Sequence, residues 1–244
     1  MNNSPDRAML QAARLSSWGD VHPRRMRAVL RHAGAVVLDV GCSSGGYVRA
    51  LRTRGYRAFG LDLLADPKWS HESGRPYVAA NALALPFANA TFDTVIAFET
   101  LEHLLEPELA LSEFRRVAHK NVILSVPDCE TPEALLKSGL TFAHWRDRTH
   151  RTFFTKASLL ETLRATGYRP VFVERIIPVL LDYAVLRSYS VPCRMAFLAA
   201  RLLSRIPFRK RYGMTLLVAA DRVDGTVEDD MQGCATCSQR EPGA

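Results

Sequence analysis

The chain has 244 residues, 48% of them hydrophobic and 23% charged, with a formal net charge of +7. That is room for one sizeable domain with the balance of a globular protein, and it excludes a disordered chain or a short-period fibre. No window offers the ~18 uncharged apolar residues of a membrane span. Met1–Gln11 lacks the apolar core of a secretory signal, and the five cysteines show no framework spacing, so a cytoplasmic location is expected.

The charge is unevenly spread. From Asp221 onward six acids face two bases, whereas Tyr183–Tyr212 holds seven bases and no acid. Such a block meets an anionic partner or a membrane surface, or is a solvated face balanced elsewhere.

In chain order, Asp6–Ser16 reads as a helix, and a second helix starts at His22–Pro23, with proline in its first turn, and runs to about His32. Ala35–Val40 is a buried-strand pattern, Gly45–Arg54 returns to helical spacing and Gly55 stops it. Arg57–Leu61 and Tyr77–Ala80 are strands, and Phe92–Phe98 is another. Pro107–His119 is helical, Asn121–Val126 a strand closed by Pro127, and Lys156–Ala165 a helix stopped by Gly167. Pro170–Ile176 and Met214–Ala220 complete the strands, with a basic, apolar segment between them. Strands alternating with helices at this spacing predict a largely parallel α/β sheet covered on both faces. The tail after Val223 is acidic and Gly-rich and is expected to be disordered.

In such a sheet ligands bind at the carboxyl ends of the strands. The loop after the first strand reads Asp39-Val40-Gly41-Cys42-Ser43-Ser44-Gly45-Gly46. It is not the dinucleotide fingerprint, because Ser43 fills the middle glycine position, nor a P-loop, because no Gly-Lys-Ser/Thr follows. Asp39 would repel a pyrophosphate and suits a cationic amine. Asp62, ending the second strand, can accept both hydroxyls of a ribose, and Asn81, after the third, can accept from an adenine amine. Together these describe a site for S-adenosylmethionine.

The stretch Val37–Gly45, the turn Gly60-Leu61-Asp62, and the strings Asn81-Ala82-Leu83-Ala84-Leu85-Pro86-Phe87, Phe92-Asp93-Thr94-Val95 and Leu101-Glu102-His103 follow in this order. They resemble the class I S-adenosylmethionine-dependent methyltransferases, and more narrowly the small-molecule branch that includes the ubiquinone-biosynthesis O-methyltransferases. The likeness is strong over about residues 35–126 and continues weakly through His150–Thr155 and Met214–Ala220. It implies a Rossmann-like, seven-stranded, mostly parallel sheet with helices on both faces and the last strand antiparallel. It also implies N-terminal helices over the cofactor site (1–34), a catalytic domain (35–222) with a basic helical insertion at about 179–212, and the tail (223–244).

Carried over residue by residue, the resemblance puts Asp39, Gly41, Cys42, Ser43 and Gly45 at the amino-acid end of S-adenosylmethionine and Asp62 with Leu63 at the ribose. It puts Asn81, Ala82 and Leu83 at the adenine, with Phe98 and Glu99 closing the site from the fourth strand. Many relatives have glycine at Ser43 and aspartate at Asn81.

Methyl transfer needs nucleophile and methyl held in line, and an oxygen nucleophile gains from a general base. If a helix starts after the fourth strand, the i, i+4 spacing puts Glu99 and His103 on one face. His103 is then the candidate base, or it caps and packs that helix. His144, Asp147 and His150 form a second group, in the stretch that walls the substrate in related enzymes. Substrate positioning or base catalysis by Asp147 and His150, a structural charge network and a metal site are the alternatives; no metal is expected, since nothing completes a ligand set. Cys234 and Cys237 lack a partner pair, and Pro192-Cys193 is a coincidental echo of a cytosine-methylating nucleophile.

The resulting expectation is an enzyme that methylates a small molecule, at a hydroxyl. Phe98-Glu99-Thr100-Leu101 replaces the acidic or Asn residue and Pro-Pro-aromatic string of base-amine methyltransferases, so nucleic acid is not expected as a partner. In Cys193–Ile206, Met195, Leu198 and Leu202 share one helical face and Arg194, Arg201 and Arg205 another. This helix covers the pocket, makes a dimer contact, or lies on an anionic membrane and presents a lipid-linked acceptor. A sugar, a phenol or polyketide and a lipid-linked intermediate are the acceptor classes. The competing expectation is a non-catalytic binding module on the same fold.

Overall fold

The computed structural model describes residues 21–131, 137, 147–178, 191–203 and 213–223. The expected helix Asp6–Ser16, His144, the tail beyond Val223 and the Cys234/Cys237 pair lie outside the described residues.

Seven strands form one sheet: β1 (Val36–Val40), β2 (Arg57–Asp62), β3 (Tyr77–Ala79), β4 (Phe92–Phe98), β5 (Ala118–Pro127), β6 (Tyr168–Pro178) and β7 (Gly213–Arg222). Their order is β3-β2-β1-β4-β5-β7-β6. All neighbours pair in parallel except β7, which runs antiparallel to both β5 and β6. The strand order reverses at β1, which lies between β2 and β4; this is where a doubly wound sheet leaves a crevice.

The helices are α1 (Pro23–His32), α2 (Gly46–Arg52), α3 (Pro107–Val117), α4 (Lys156–Ala165) and α5 (Cys193–Leu203). Strand residues alternate between two buried layers. Leu38 and Val40 of β1, with Val95 and Ala97 of β4, meet Ala110, Leu111 and Phe114 of α3 and Leu159 and Leu163 of α4. Val37, Ile96 and Phe98 point the other way and meet Met26 and Val29 of α1 and Val48 and Leu51 of α2. On α3 the buried positions Pro107, Ala110, Leu111, Phe114 and Val117 follow the 3.6-residue period and face the sheet.

A buried polar relay fixes α1. The Gly34 N–H donates to Thr94 Oγ1 (3.0 Å), the Thr94 hydroxyl donates to Asn121 Oδ1 (2.6 Å), and Asn121 Nδ2 donates to the His32 carbonyl (2.8 Å). The end of the first helix is thereby tied to β4 and β5, and its start is held over the carboxyl edge of the sheet. On α5, Ala196 is buried while Met195, Leu198 and Leu202 are all exposed, so that apolar face does not cover a pocket within the described chain.

One expected element is different. No helix starts at Glu99: its N–H still donates to the Ser125 carbonyl of β5 (2.8 Å), its backbone is left-handed (φ 53°), and only a 3-10 turn, Leu101–His103, follows. Held in the ladder by that bond, the chain becomes helical only at Pro107. Glu99 and His103 therefore do not share a helix face.

Candidate active site

At the carboxyl ends of β1 and β4 lies a cleft of about 210 Å³. Its walls are Asp39 and Phe98 from the sheet, Gly41–Ser44 with Gly46 from the loop, Tyr47 of α2, and His22 and Arg25 at the start of α1.

The loop turns through left-handed residues at Gly41 (φ 79°), Ser43 (φ 47°) and Gly45 (φ 85°). A Cβ at Gly41 would collide with the Thr100 side chain, and one at Gly45 with the Tyr77 ring, so both positions require glycine for space as well as torsion. Ser43 takes the same left-handed backbone at an energetic cost that glycine would not carry. Its N–H donates to Asp62 Oδ2 (2.8 Å) and its carbonyl accepts from Trp69 Nε1 (2.8 Å), while Trp69 stacks on Tyr77 with ring centroids 5.1 Å apart.

Asp39 is 3% exposed, and its Oδ2 has no hydrogen-bond partner among the described residues. Burial, helped by the Asp62 charge, pushes its carboxyl up to about 8. Arg25, also buried, pairs with Glu99 Oε1 (2.5 Å) and lies over the Phe98 ring, 5.5 Å from its centroid. Ser125 Oγ donates to the same Glu99 oxygen (2.9 Å). Glu99 thus anchors Arg25 at the cleft. Burial in this wall also raises the Cys42 thiol far above its ordinary range, so Cys42 is an inert lining group.

The expected adenine group stands beside this cleft, outside its lining. Asn81 Oδ1, read as an adenine acceptor, accepts from the Leu83 N–H (2.9 Å) and so helps to shape its own loop. Ala82 and Leu83 pack partly buried on the core, and Leu63 is exposed beyond β2.

The histidines meet. The Glu102 carbonyl accepts from the N–H groups of Arg151 (2.7 Å) and Thr152 (3.0 Å), which straps residues 150–154 across the ends of β4 and β5. His150 is brought against His103, ring centroids 5.1 Å apart, and His103 Nδ1 lies 3.2 Å from the Thr149 carbonyl. Asp147 is a loop cap: its Oδ1 accepts from the Thr149 N–H (2.9 Å) and hydroxyl (2.7 Å), bonds that hold its carboxyl below the usual range. It is half exposed, with Oδ2 3.7 Å from His150 Nε2, so it is placed to orient that ring rather than to take a proton. Sequence reasoning passed over Glu102. It is 2% exposed, both carboxylate oxygens lack a hydrogen-bond partner among the described residues, and burial together with the Glu99 charge holds it well above the ordinary carboxylate range. Arg25, His22 and Tyr47 were also missed, because nothing local marks them.

Comparison with known proteins agrees with this geometry. Residues 38–126 match the family model described as a methyltransferase domain. The chain is 31% identical over 158 residues to the O-methyltransferase resE of Aspergillus sclerotiorum, covering 56% of each chain. It is 37% identical over 101 residues to the ubiquinone biosynthesis O-methyltransferase of Chromobacterium violaceum, covering 36% of this chain and 43% of that one. The chain spans about half the length of these curated relatives. Among solved structures, the 1,6-didemethyltoxoflavin-N1-methyltransferase of Burkholderia thailandensis superposes with a TM-score of 0.57 at 19% identity, covering 92% of each chain, a likeness of fold. Residues 38–126 are therefore similar to a methyltransferase domain, and they are set in the seven-stranded fold that the sequence resemblance implied.

Proposed function

We propose that the protein transfers a methyl group from S-adenosylmethionine to a hydroxyl of a small molecule. The observation that carries this is Asp39, a buried carboxylate with an unsatisfied oxygen in the wall of a cleft at the point where strand order reverses. A cationic amine supplies what that oxygen lacks, and it favours the ionised carboxyl that burial opposes. Arg25, on the facing wall, suits the cofactor's carboxylate, and Asp62, at the end of β2, suits its ribose hydroxyls. The cofactor contributes a sulfonium-activated methyl.

The protein's own work is to hold, orient and exclude water. His103, His150 and Glu102 gather at the end of β4, the strand beside β1, and so on the acceptor side of the methyl. Activation of the acceptor hydroxyl is assigned to this group. The choice of oxygen over nitrogen follows the two curated relatives, both O-methyltransferases. The choice of acceptor skeleton is assigned to residues 150–155, which the Glu102 carbonyl straps beside this group.

The test is calorimetric titration of the purified chain with S-adenosylhomocysteine, beside Asp62→Ala. Micromolar binding that weakens at least tenfold in the variant supports the cofactor site, since a hydrogen bond to a charged group contributes about 1.5–3 kcal/mol. No binding to folded wild-type protein overturns the enzyme reading in favour of a non-catalytic module.

A further inference from the structure

The loop after β1 is held by three side chains that stand outside the lining of the cleft. Trp69 Nε1 donates to the Ser43 carbonyl (2.8 Å), Arg49 Nη1 to the Ser44 carbonyl (2.5 Å), and the Tyr77 hydroxyl to the Gly45 carbonyl (3.4 Å). Three successive carbonyls thus each meet a side-chain donor. Arg49 belongs to α2 and Tyr77 to β3, but Trp69 arrives on a separate piece of chain, the 3-10 turn Pro67–His71 between β2 and β3.

That turn is built to present the indole. Pro67 opens it, and Asp66 caps it by accepting from the Lys68 N–H (2.8 Å). Glu72, at its other end, reaches Arg49 at 3.7 Å. The Trp69 ring stacks on the Tyr77 ring, centroids 5.1 Å apart and planes 13° from parallel. Gly60 of β2 makes room for Tyr77, because a Cβ there would collide with its ring and with Cys42 Sγ.

Ser43 is the residue that most needs this support. Its backbone stands at φ 47°, where a side chain costs free energy that Gly41 and Gly45 do not incur. Strain of that kind persists only where the surroundings over-determine it. The Ser43 N–H is held by Asp62 Oδ2 (2.8 Å) and its carbonyl by Trp69. Asp62 is also the group assigned to the ribose, so the bond on the carbonyl side is the one no ligand competes for.

We infer that Trp69 is a positioning residue of the cofactor site: its indole N–H holds Ser43 in the left-handed turn that lets this loop take S-adenosylmethionine. The hold on Ser43 stands on the geometry; its use for the cofactor rests on the methyltransferase reading. Without the indole bond, only the fraction of molecules whose turn is formed can bind, and the apparent affinity falls by that fraction. Ser43→Gly keeps the turn populated without the indole, so the cost of losing Trp69 depends on what stands at position 43.

The experiment is a double-mutant cycle on the full chain with Trp69→Phe, Ser43→Gly and the pair. The first change retains an aromatic ring beside Tyr77 and removes the N–H donor. Two quantities are read: S-adenosylhomocysteine affinity by calorimetry, and amide hydrogen exchange of residues 41–45 in the ligand-free protein. Trp69→Phe alone should weaken affinity about three- to tenfold, the range of one hydrogen bond, and speed that exchange by a similar factor. In the Ser43→Gly protein the same change should alter both by less than about twofold. Equal effects of Trp69→Phe in both backgrounds, or none in either, overturn the proposal, as does coupling seen in exchange but absent from affinity. A matching rise in exchange along β5 would make Trp69 a stabiliser of the whole fold and overturn the assignment as well. Coupling in exchange, in protein that never binds S-adenosylhomocysteine, upholds the hold on Ser43 and sinks the methyltransferase reading.

Discussion

Asp39 carries most of the chemistry that one residue can report. Its carboxyl, pushed up to about 8 by burial and the Asp62 charge, is largely protonated at neutral pH without ligand. An ammonium beside it favours the ionised form, so ligand binding below that pH must expel a proton. The affinity for S-adenosylhomocysteine should weaken as pH falls below about 8, by up to tenfold per unit, in calorimetric titrations between about pH 6 and 9. Asp39→Asn should weaken binding roughly ten- to hundredfold at high pH, the range of one charge-assisted hydrogen bond, and should flatten that slope. A slope that survives in the variant would move the titration to another group. Asp39 and its glycines were legible in the sequence because they adjoin one another on a strand and its loop. Glu102 was not, since its meaning depends on being buried and on a histidine far along the chain.

At the scale of elements, α1 matters through where it is anchored. Thr94 and Asn121 are buried, and their relay to the His32 carbonyl and the Gly34 N–H joins the helix to two strands. Asn121→Ala leaves the Thr94 hydroxyl without its acceptor and the His32 carbonyl without its donor, which should cost about 1–3 kcal/mol of stability. For a domain of this size that is a fall of roughly 2–4 °C in melting temperature per kcal/mol. Because Arg25 reaches the cleft from α1, S-adenosylhomocysteine affinity should fall as well; a variant with lower stability and unchanged affinity would show that the relay does not position the site. Most element positions were readable from period and punctuation: β4 and α4 lie where the patterns put them, and α1 starts at its proline. The helix considered after β4 does not form there. Glu99-Thr100-Leu101-Glu102-His103 has acceptable helical spacing, and only pairing with Ser125 and Arg25 shows that Glu99 stays with the sheet.

The whole molecule feels the Asp39 carboxyl through its folding equilibrium. A carboxyl raised from an ordinary 3.8 to about 8 holds its proton in the native state after the unfolded chain has lost it. Its contribution to stability is complete below the ordinary value and is lost as pH rises through about 8. Denaturant melts of the ligand-free protein should therefore contain a component that declines over that window and is absent in Asp39→Asn. Saturating S-adenosylhomocysteine should offset the decline, adding about 2.7 kcal/mol at a hundredfold excess over Kd. A decline untouched by both the variant and the ligand would separate Asp39 from the cleft's energetics.

What the sequence by itself determined is the layered α/β architecture, the strand-end acid and glycine turn, and the kind of ligand they suit. These follow from local periodicity, from torsions that only glycine adopts cheaply, and from charge placed at a strand's end. What only the tertiary structure decided is which distant side chains share that edge: Arg25 held by Glu99, Asn121 holding α1, and Glu102 buried between His103 and His150. Those contacts join residues tens of positions apart. Their burial and partners arise from packing of the whole sheet, which leaves no mark on the spacing of neighbouring residues.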